Sequence, residues 1–200
     1  MPNMRNILWI VVGVVWLGVS CGGLAMLAEY ANSPGPSPHA PREWPIDSGV
    51  DLSKHGYTLI LFAHPRCPCT RASLGELEKI VARFQGTVTT WVVFFKPSGS
   101  DDNWDQTDLR STAAAIPGVH VVSDLDGVVA RRFHATTSGE TVLYNDRGEL
   151  LFSGGITLAR GHAGDNAGRS AIESCLRGTV PDLRQTPVFG CSIADSSEQK

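Results

Sequence analysis

The chain is short of charge of either sign. Its 200 residues carry 20 acidic and 17 basic side chains, a net charge of −3. That balance gives no reason to expect nucleic acid as a partner. No glycine-rich flavin or nicotinamide fingerprint is present, so electrons for any redox step must come through side chains or from another protein. No internal repeat is visible, which excludes a solenoid. Cysteine is scarce, with five in all. The 21 Gly and 12 Pro point instead to many turns.

One stretch lacks charge altogether. From Ile7 to Ala28 the side chains are dominated by Leu, Ile, Val and Trp. About 20 such residues span a bilayer. Arg5 precedes the run and Glu29 follows it, so the positive-inside rule keeps the N-terminus cytoplasmic and puts the remainder outside. A cleaved signal peptide is the rival reading, but no Ala-x-Ala-like site ends the run. Gly18-Val19-Ser20 is a poor lipobox ahead of Cys21, which reads as a small apolar residue of the span. The sequence thus divides into an anchor over 1–30, a Pro-rich linker over 31–45, stiff and extended, and a domain over 46–200. The linker is expected to hold the domain off the membrane surface.

Four cysteines then lie outside the membrane: Cys67, Cys69, Cys175 and Cys191. An exported location permits disulfides. Four cysteines allow three full pairings, and the sequence does not choose among them. Cys67-Pro68-Cys69 is the most informative site. The apolar run Tyr57–Ala63 reads as a buried strand, and Thr70–Phe84 reads as an amphipathic helix through Leu74, Leu77, Ile80, Val81 and Phe84. The two thiols therefore sit at a helix N-terminus, where unpaired N–H groups and the helix dipole favour a thiolate, the reactive form.

Further elements follow in order. Strands are expected at Thr87–Phe95, Val119–Ser123, Thr141–Asn145 and Leu150–Ser153, and helices at Trp104–Ile116, Asp126–His134 and Asn166–Leu176. Asp146-Arg147-Gly148 marks a hairpin turn. The tail from Thr179 shows no periodicity. Strands alternating with helices imply an α/β sheet with helices on both faces.

This order, with the strand–Cys–helix junction, resembles the thioredoxin fold, a central mixed sheet flanked by helices. The stretches His64-Pro65-Arg66-Cys67-Pro68-Cys69-Thr70-Arg71-Ala72-Ser73-Leu74, Gly154-Gly155-Ile156-Thr157 with Arg160–Asn166, and Thr186-Pro187-Val188-Phe189-Gly190-Cys191 resemble the exported, membrane-anchored TlpA/ResA-like group, and within it RedB-type proteins. Those thioredoxins carry Cys-Pro-Pro-Cys-Arg-Ala. Aligned on Arg71-Ala72, the resemblance puts Cys67 at the attacking cysteine, Cys69 on the second proline and Thr70 where the resolving cysteine belongs. The fold's cis-proline is also missing from Thr136-Thr137-Ser138-Gly139-Glu140, ahead of the strand at Thr141.

The expected chemistry centres on Cys67 as nucleophile. Cys69 and Cys191 are both candidates to resolve it, the first through a small and strained ring. Cys191 is alternatively a structural partner of Cys175, whose place in the apolar series Ile172, Cys175, Leu176 otherwise reads as a buried inert thiol. His64, Pro68, Thr70, Arg160 and His162 are expected to line the site. A cation near the thiols and a proton shuttle at His162 suit thiolate chemistry, while Asp165 is expected to cap the last helix. The remaining histidines, His39, His55, His120 and His134, read as surface residues.

The leading expectation is a single-pass protein of the bacterial inner (cytoplasmic) membrane, anchored by residues 7–28. Its domain faces the periplasm and acts as a thiol–disulfide oxidoreductase on protein thiols and disulfides. Its electrons come from a membrane-bound thiol carrier, with no cofactor and no resident metal. A copper-binding protein using the soft thiolates is the alternative. A thiol peroxidase ranks last, because the Pro-x-x-x-Thr-x-x-Cys pattern is absent.

Overall fold

The computed structural model describes residues 3–194. The chain divides after Ser33 into two units. The first is one helix, α1 (Met4–Asn32), of 29 residues. At 1.5 Å per residue it is about 43 Å long, more than the ~30 Å hydrocarbon thickness of a bilayer. Its mean hydropathy of 2.2 makes it apolar enough to cross a membrane, a test that a signal sequence also passes.

The second unit begins at Pro34 and holds ten elements. In chain order they are β1 (Tyr57–Ala63), α2 (Thr70–Arg83), β2 (Val88–Lys96), α3 (Asp108–Ala115), β3 (Val119–Leu125), α4 (Val128–Arg132), β4 (Glu140–Asn145), β5 (Leu150–Gly155), α5 (Ala167–Leu176) and β6 (Gln185–Thr186). The sheet runs β3-β2-β1-β4-β5-β6. β1 is parallel to β2, and β2 to β3. β4 is antiparallel to both β1 and β5. This is the thioredoxin-like arrangement that the order of elements implies, with one short strand added at the β5 edge.

β1 is central, and its alternating side chains feed two cores. Leu59, Leu61 and Ala63 pack with Leu74, Leu77 and Ile80 of α2 and Ile172 of α5. Ile60 and Phe62 face the other way, toward Phe133, Tyr144 and Val93. α5 lies directly on β5. A Cβ on Gly168 would fall on the Gly155 carbonyl oxygen, so only glycine permits that approach.

Three helices start later than expected, each where a side chain takes the first free N–H groups, and α2 ends one residue early, at Arg83. α3 starts four residues late, at Asp108, since the Thr107 hydroxyl accepts from Arg110 N and leaves Trp104 in the loop. α4 is shorter than Asp126–His134. Asp126 and Gly127 are left-handed at φ 55° and 68°, and the Asp124 carboxylate accepts from Val129 N and Ala130 N at 2.8 and 2.9 Å. α5 is capped by Asn166, which accepts from Arg169 N at 2.8 Å. Asp165 is instead exposed and paired with Arg169, so the expected Asp165 cap is corrected.

The Pro-rich segment also differs. Residues 34–45 are not a free spacer but a strap bound along the domain. Gly35 N donates to Val188 O, Trp44 N to Gly148 O, and Leu150 N to Arg42 O, at 2.8–2.9 Å. The Trp44 ring meets Phe133 and Tyr144 edge-on, each at 5.2 Å. Proline here fixes an extended backbone whose carbonyls stay free to accept. Pro36 O takes the Thr136 and Thr137 hydroxyls, and Pro41 O takes the Tyr144 hydroxyl. The described part of the tail after α5, as far as Ala194, is likewise held by specific bonds. β6 pairs with β5, Val188 is fully buried, and the chain then crosses to the loop ahead of β4.

Candidate active site

The strand–helix junction folds as tight turns. Cys67 N donates to His64 O, and Thr70 N donates to Cys67 O, both at 3.1 Å. Cys67 thereby ends under the start of α2, only 1% exposed. Its sulfur lies 2.8 Å from the Cys191 sulfur, and Cys191 N donates to it at 3.4 Å. These two cysteines are 124 residues apart in the chain. Among the described residues all five cysteines are thiols.

Two strips of backbone create the pairing. Ser138 N donates to Cys191 O at 2.8 Å, and Ile193 N donates to Thr136 O at 2.9 Å. Between them Thr137 and Ser192 form an antiparallel bridge. The loop 136–138 thus receives the tail as a short second strand. No cis peptide occurs here.

Burial opposes a thiolate at Cys67, but hydrogen bonds outweigh it. The Cys191 thiol and the N–H groups of Cys191, Cys69 and Thr70 all favour the anion and hold Cys67 below its ordinary value. Burial pushes Cys191 up, and the hydrogen bond and negative charge at Cys67 push it further; only Arg160 acts the other way. Cys69 is raised for the same reasons, again opposed by Arg160. Of the three thiols, Cys67 is thus the one whose anion its neighbours favour.

The other residues expected at the site are placed as follows. Thr70 is a hydrogen-bonding post: its hydroxyl lies 2.8 Å from that of Ser138, which in turn accepts from His64 N at 2.9 Å. His64 Nδ1 accepts from Arg66 N at 3.2 Å, and the ring packs beside Phe95 and Trp104. Arg66 lays its guanidinium over Trp104 at 4.4 Å. Pro68 is exposed. Arg160 donates to Gly190 O, and its guanidinium favours the Cys69 anion. His162 is exposed and bonds back to Arg160 O at 2.9 Å. The loop after β5 therefore delivers Arg160 to the sulfurs, and His162 shapes the turn that carries it. Cys175 is held in the α5 core, so the Cys175–Cys191 alternative is not formed.

Sequence reasoning missed Ser138, Gly190 and Glu140. The signals were the stretch Thr136–Glu140, conspicuous for its missing proline, and Thr186–Cys191, which holds Gly190. Glu140 is fully buried, and its carboxylate accepts from the Ser37 hydroxyl and Thr136 N at 3.1 and 3.2 Å. Burial pushes it up to about 7 against those bonds.

The site can exchange thiols and disulfides: a poised nucleophile, a second thiol in reach and a cation beside it. Among the described residues, no group of three or more His, Cys, Asp or Glu is placed to hold a metal ion.

No family model matches the chain. No curated protein matches it either. Solved structures do. A hypothetical protein from Sinorhizobium meliloti is 20% identical with a TM-score of 0.59, over 82% of this chain and 96% of its own. An uncharacterized conserved protein from Geobacillus kaustophilus is 17% identical with a TM-score of 0.58, over 82% and 93%. A secreted disulfide oxidoreductase from Mycobacterium tuberculosis is 16% identical with a TM-score of 0.46, over 64% and 84%. At these identities the likeness is one of fold.

Proposed function

We propose that this chain is a membrane-anchored thiol–disulfide oxidoreductase whose redox pair is Cys67 and Cys191. One observation carries the reading: two thiols remote in sequence, in a buried site, stand 2.8 Å apart. A disulfide bond, at about 2.05 Å, needs only a small approach of the two sulfurs.

The Cys67 thiolate attacks one sulfur of a substrate disulfide. The substrate S–S bond breaks, a Cys67–substrate bond forms and one substrate thiolate leaves. Cys67 is then no longer an anion or a hydrogen-bond acceptor of that strength. The part of the upward push on Cys191 that came from Cys67 is relieved, burial remains, and Arg160 favours its thiolate. Cys191 attacks the Cys67 sulfur, the second substrate thiol leaves and the Cys67–Cys191 disulfide remains. Two electrons have passed from the pair to the substrate. A dithiol partner returns them by the reverse exchange. Cys69 contributes its N–H to the Cys67 anion rather than a bond to its sulfur.

The apolar helix over residues 7–28 anchors the protein in the bacterial inner membrane, with the domain on the periplasmic side. The substrates are protein thiols or disulfides there, and the electron donor is a membrane-bound thiol carrier. Within the exported thioredoxin-like proteins the site resembles the RedB type.

Disulfide mapping tests the reading, on the full chain in mild detergent, freed of metal, air-oxidised and titrated with a dithiol buffer. A reversible Cys67–Cys191 bond is expected. A Cys67–Cys69 bond, or free Cys67 and Cys191 after oxidation, would overturn the pair. Free thiols together with copper retained through purification would favour the copper-binding alternative.

A further inference from the structure

We infer that the groove between the Pro-rich strap and the outer edge of β5 is a binding site for a phosphate group. Arg42 and Arg184 hold the phosphate from either side, and the Ser153 hydroxyl donates to it from the floor. The groove lies at the start of β5, whereas the thiols sit beyond its other end, so the site stands apart from the redox pair.

Two backbone bonds bring the arginines together. Leu150 N donates to Arg42 O at 2.9 Å, and Ser153 N donates to Arg184 O at 3.0 Å. Leu150 and Ser153 are three residues apart, about 10 Å along a strand. The two arginines therefore flank one short stretch of edge, and both line a cavity of about 560 Å³ there. Both are exposed. Among the described residues neither guanidinium has a carboxylate partner. Glu149 is the acidic residue of the wall, but its charge is already met by Arg147 at 2.7 Å, and Asn145 Nδ2 donates to it at 2.6 Å. The cavity is thus left with two uncompensated positive charges in a chain of net charge −3.

The floor asks for a ligand. Alternation along β5 turns Phe152 into the core beneath α2 and α5, and Ser153 to the other face, where the strap lies. Ser153 is 4% exposed and lines the cavity, yet its hydroxyl has no hydrogen-bond partner. A buried hydroxyl without a partner costs free energy that an acceptor would return. The acceptor must be an anion, given the two guanidiniums beside it. Donors come from the strap, from β5 and from the segment ahead of β6, on three sides. A tetrahedral phosphate presents oxygens to all three, while a planar carboxylate presents two oxygens in one plane. The guanidinium fork matches phosphate oxygens in pairs. The volume leaves room for a group esterified to the phosphate, so the phosphate is either free or the head of a lipid.

The test uses the full chain in mild nonionic detergent and a phosphate-free buffer. It is titrated calorimetrically with inorganic phosphate and, separately, with dihexanoyl phosphatidic acid. Saturable one-to-one binding is expected. Arg42→Gln and Arg184→Gln, both at exposed positions, are each expected to weaken it at least about tenfold. Ser153→Ala is expected to weaken it about fivefold, yet to leave the urea midpoint without phosphate unchanged or raised, since no bond is lost with that hydroxyl. Saturation by inorganic phosphate supports a site for soluble phosphate. Saturation by the lipid alone, lost in the same variants, supports a site for a lipid head. No saturable binding of either, or binding that any one of the three substitutions leaves unchanged, would overturn the site. Disulfide mapping of the same variants is expected to match that of the wild type, so the fate of this site and that of the redox pair are read separately.

Discussion

Oxidation stabilises this chain by an amount set by which cysteine pairs with Cys67. A cross-link removes loop-closure entropy from the unfolded chain, and the effect grows with the length of loop closed. Cys67 and Cys191 are 124 residues apart. The chain-entropy relation gives about 5 kcal/mol for such a loop and only about 1–2 kcal/mol for the ring closed by Cys67 and Cys69. Native geometry adds little against the long loop, since the tail is already seated with the sulfurs in contact. The assay is urea unfolding of the full chain in mild detergent, followed by Trp fluorescence, with and without a dithiol. At a slope of roughly 2 kcal/mol per M urea, the oxidised form unfolds about 2.5 M higher. In a thermal scan the same difference amounts to roughly 10–20 °C for a domain of this size. Cys69→Ser keeps the gap, and Cys191→Ser abolishes it. Oxidised and reduced forms within about 2 kcal/mol of each other, or a gap lost in Cys69→Ser, would refute the reasoning.

Further outcomes follow from the buried charges and close contacts. Glu140 keeps its proton in the folded state up to about 7 against an ordinary 4.5. Stability from this group therefore falls as pH rises through that window, and Glu140→Gln gains about 2–3 kcal/mol on wild type between about pH 5 and pH 8 in urea titrations; parallel curves would contradict this. Glu76 is fully buried, pairs with Lys79 at 2.7 Å and with Arg169, and accepts from Gly164 N. Glu76→Gln costs about 3–5 kcal/mol near neutral pH. Burial opposes the Glu76 anion, but Lys79, Gly164 N–H and Arg169 together hold it below the ordinary carboxylate range. The deficit therefore narrows as acid protonates the wild-type group. Arg160→Met raises the Cys69 and Cys191 thiols further and slows their alkylation by iodoacetamide at fixed pH, with peptide mapping as the readout. Gly168→Val pushes α5 off β5 and lowers the urea midpoint by roughly 1 M or more.

The central frame was legible because short, strongly patterned segments decide it. Tyr57–Ala63 is a near-continuous apolar run, which only a doubly covered strand needs, and it lies at the middle of the sheet with both faces buried. Leu74, Leu77 and Ile80 recur at helical spacing and form the buried stripe of α2. What escaped depends on pairings across the chain. The strap 34–45 reads as a spacer because proline signals extension without saying what holds it; the hydroxyls of Thr136, Thr137 and Tyr144, a hundred residues away, donate to its carbonyls. The tail has no period because it is held residue by residue: Thr186 against Gly155 O, Val188 in the interior, Ile193 among aromatic and alanine side chains. Cys191 was visible as a candidate, but only the crossing of the tail to the loop before β4 separates it from Cys69.

The two departures from the exported-thioredoxin pattern are one arrangement. Thr70 stands where a second helix cysteine is expected, so the partner of Cys67 must arrive from elsewhere. Proline is absent ahead of Thr141, so the loop keeps every N–H that a proline would remove. Four of those N–H groups make bonds. Thr136 N reaches the Glu140 carboxylate, Gly139 N reaches Phe62 O, and Glu140 N closes a turn on Thr137 O. With its neighbours tied inward, Ser138 N alone points across to Cys191 O. The Ser138 hydroxyl meets Thr70, joining the loop to the start of α2. Threonine in the helix and a proline-free loop thus hold one edge open for a strand, and the tail that fills it carries the missing thiol.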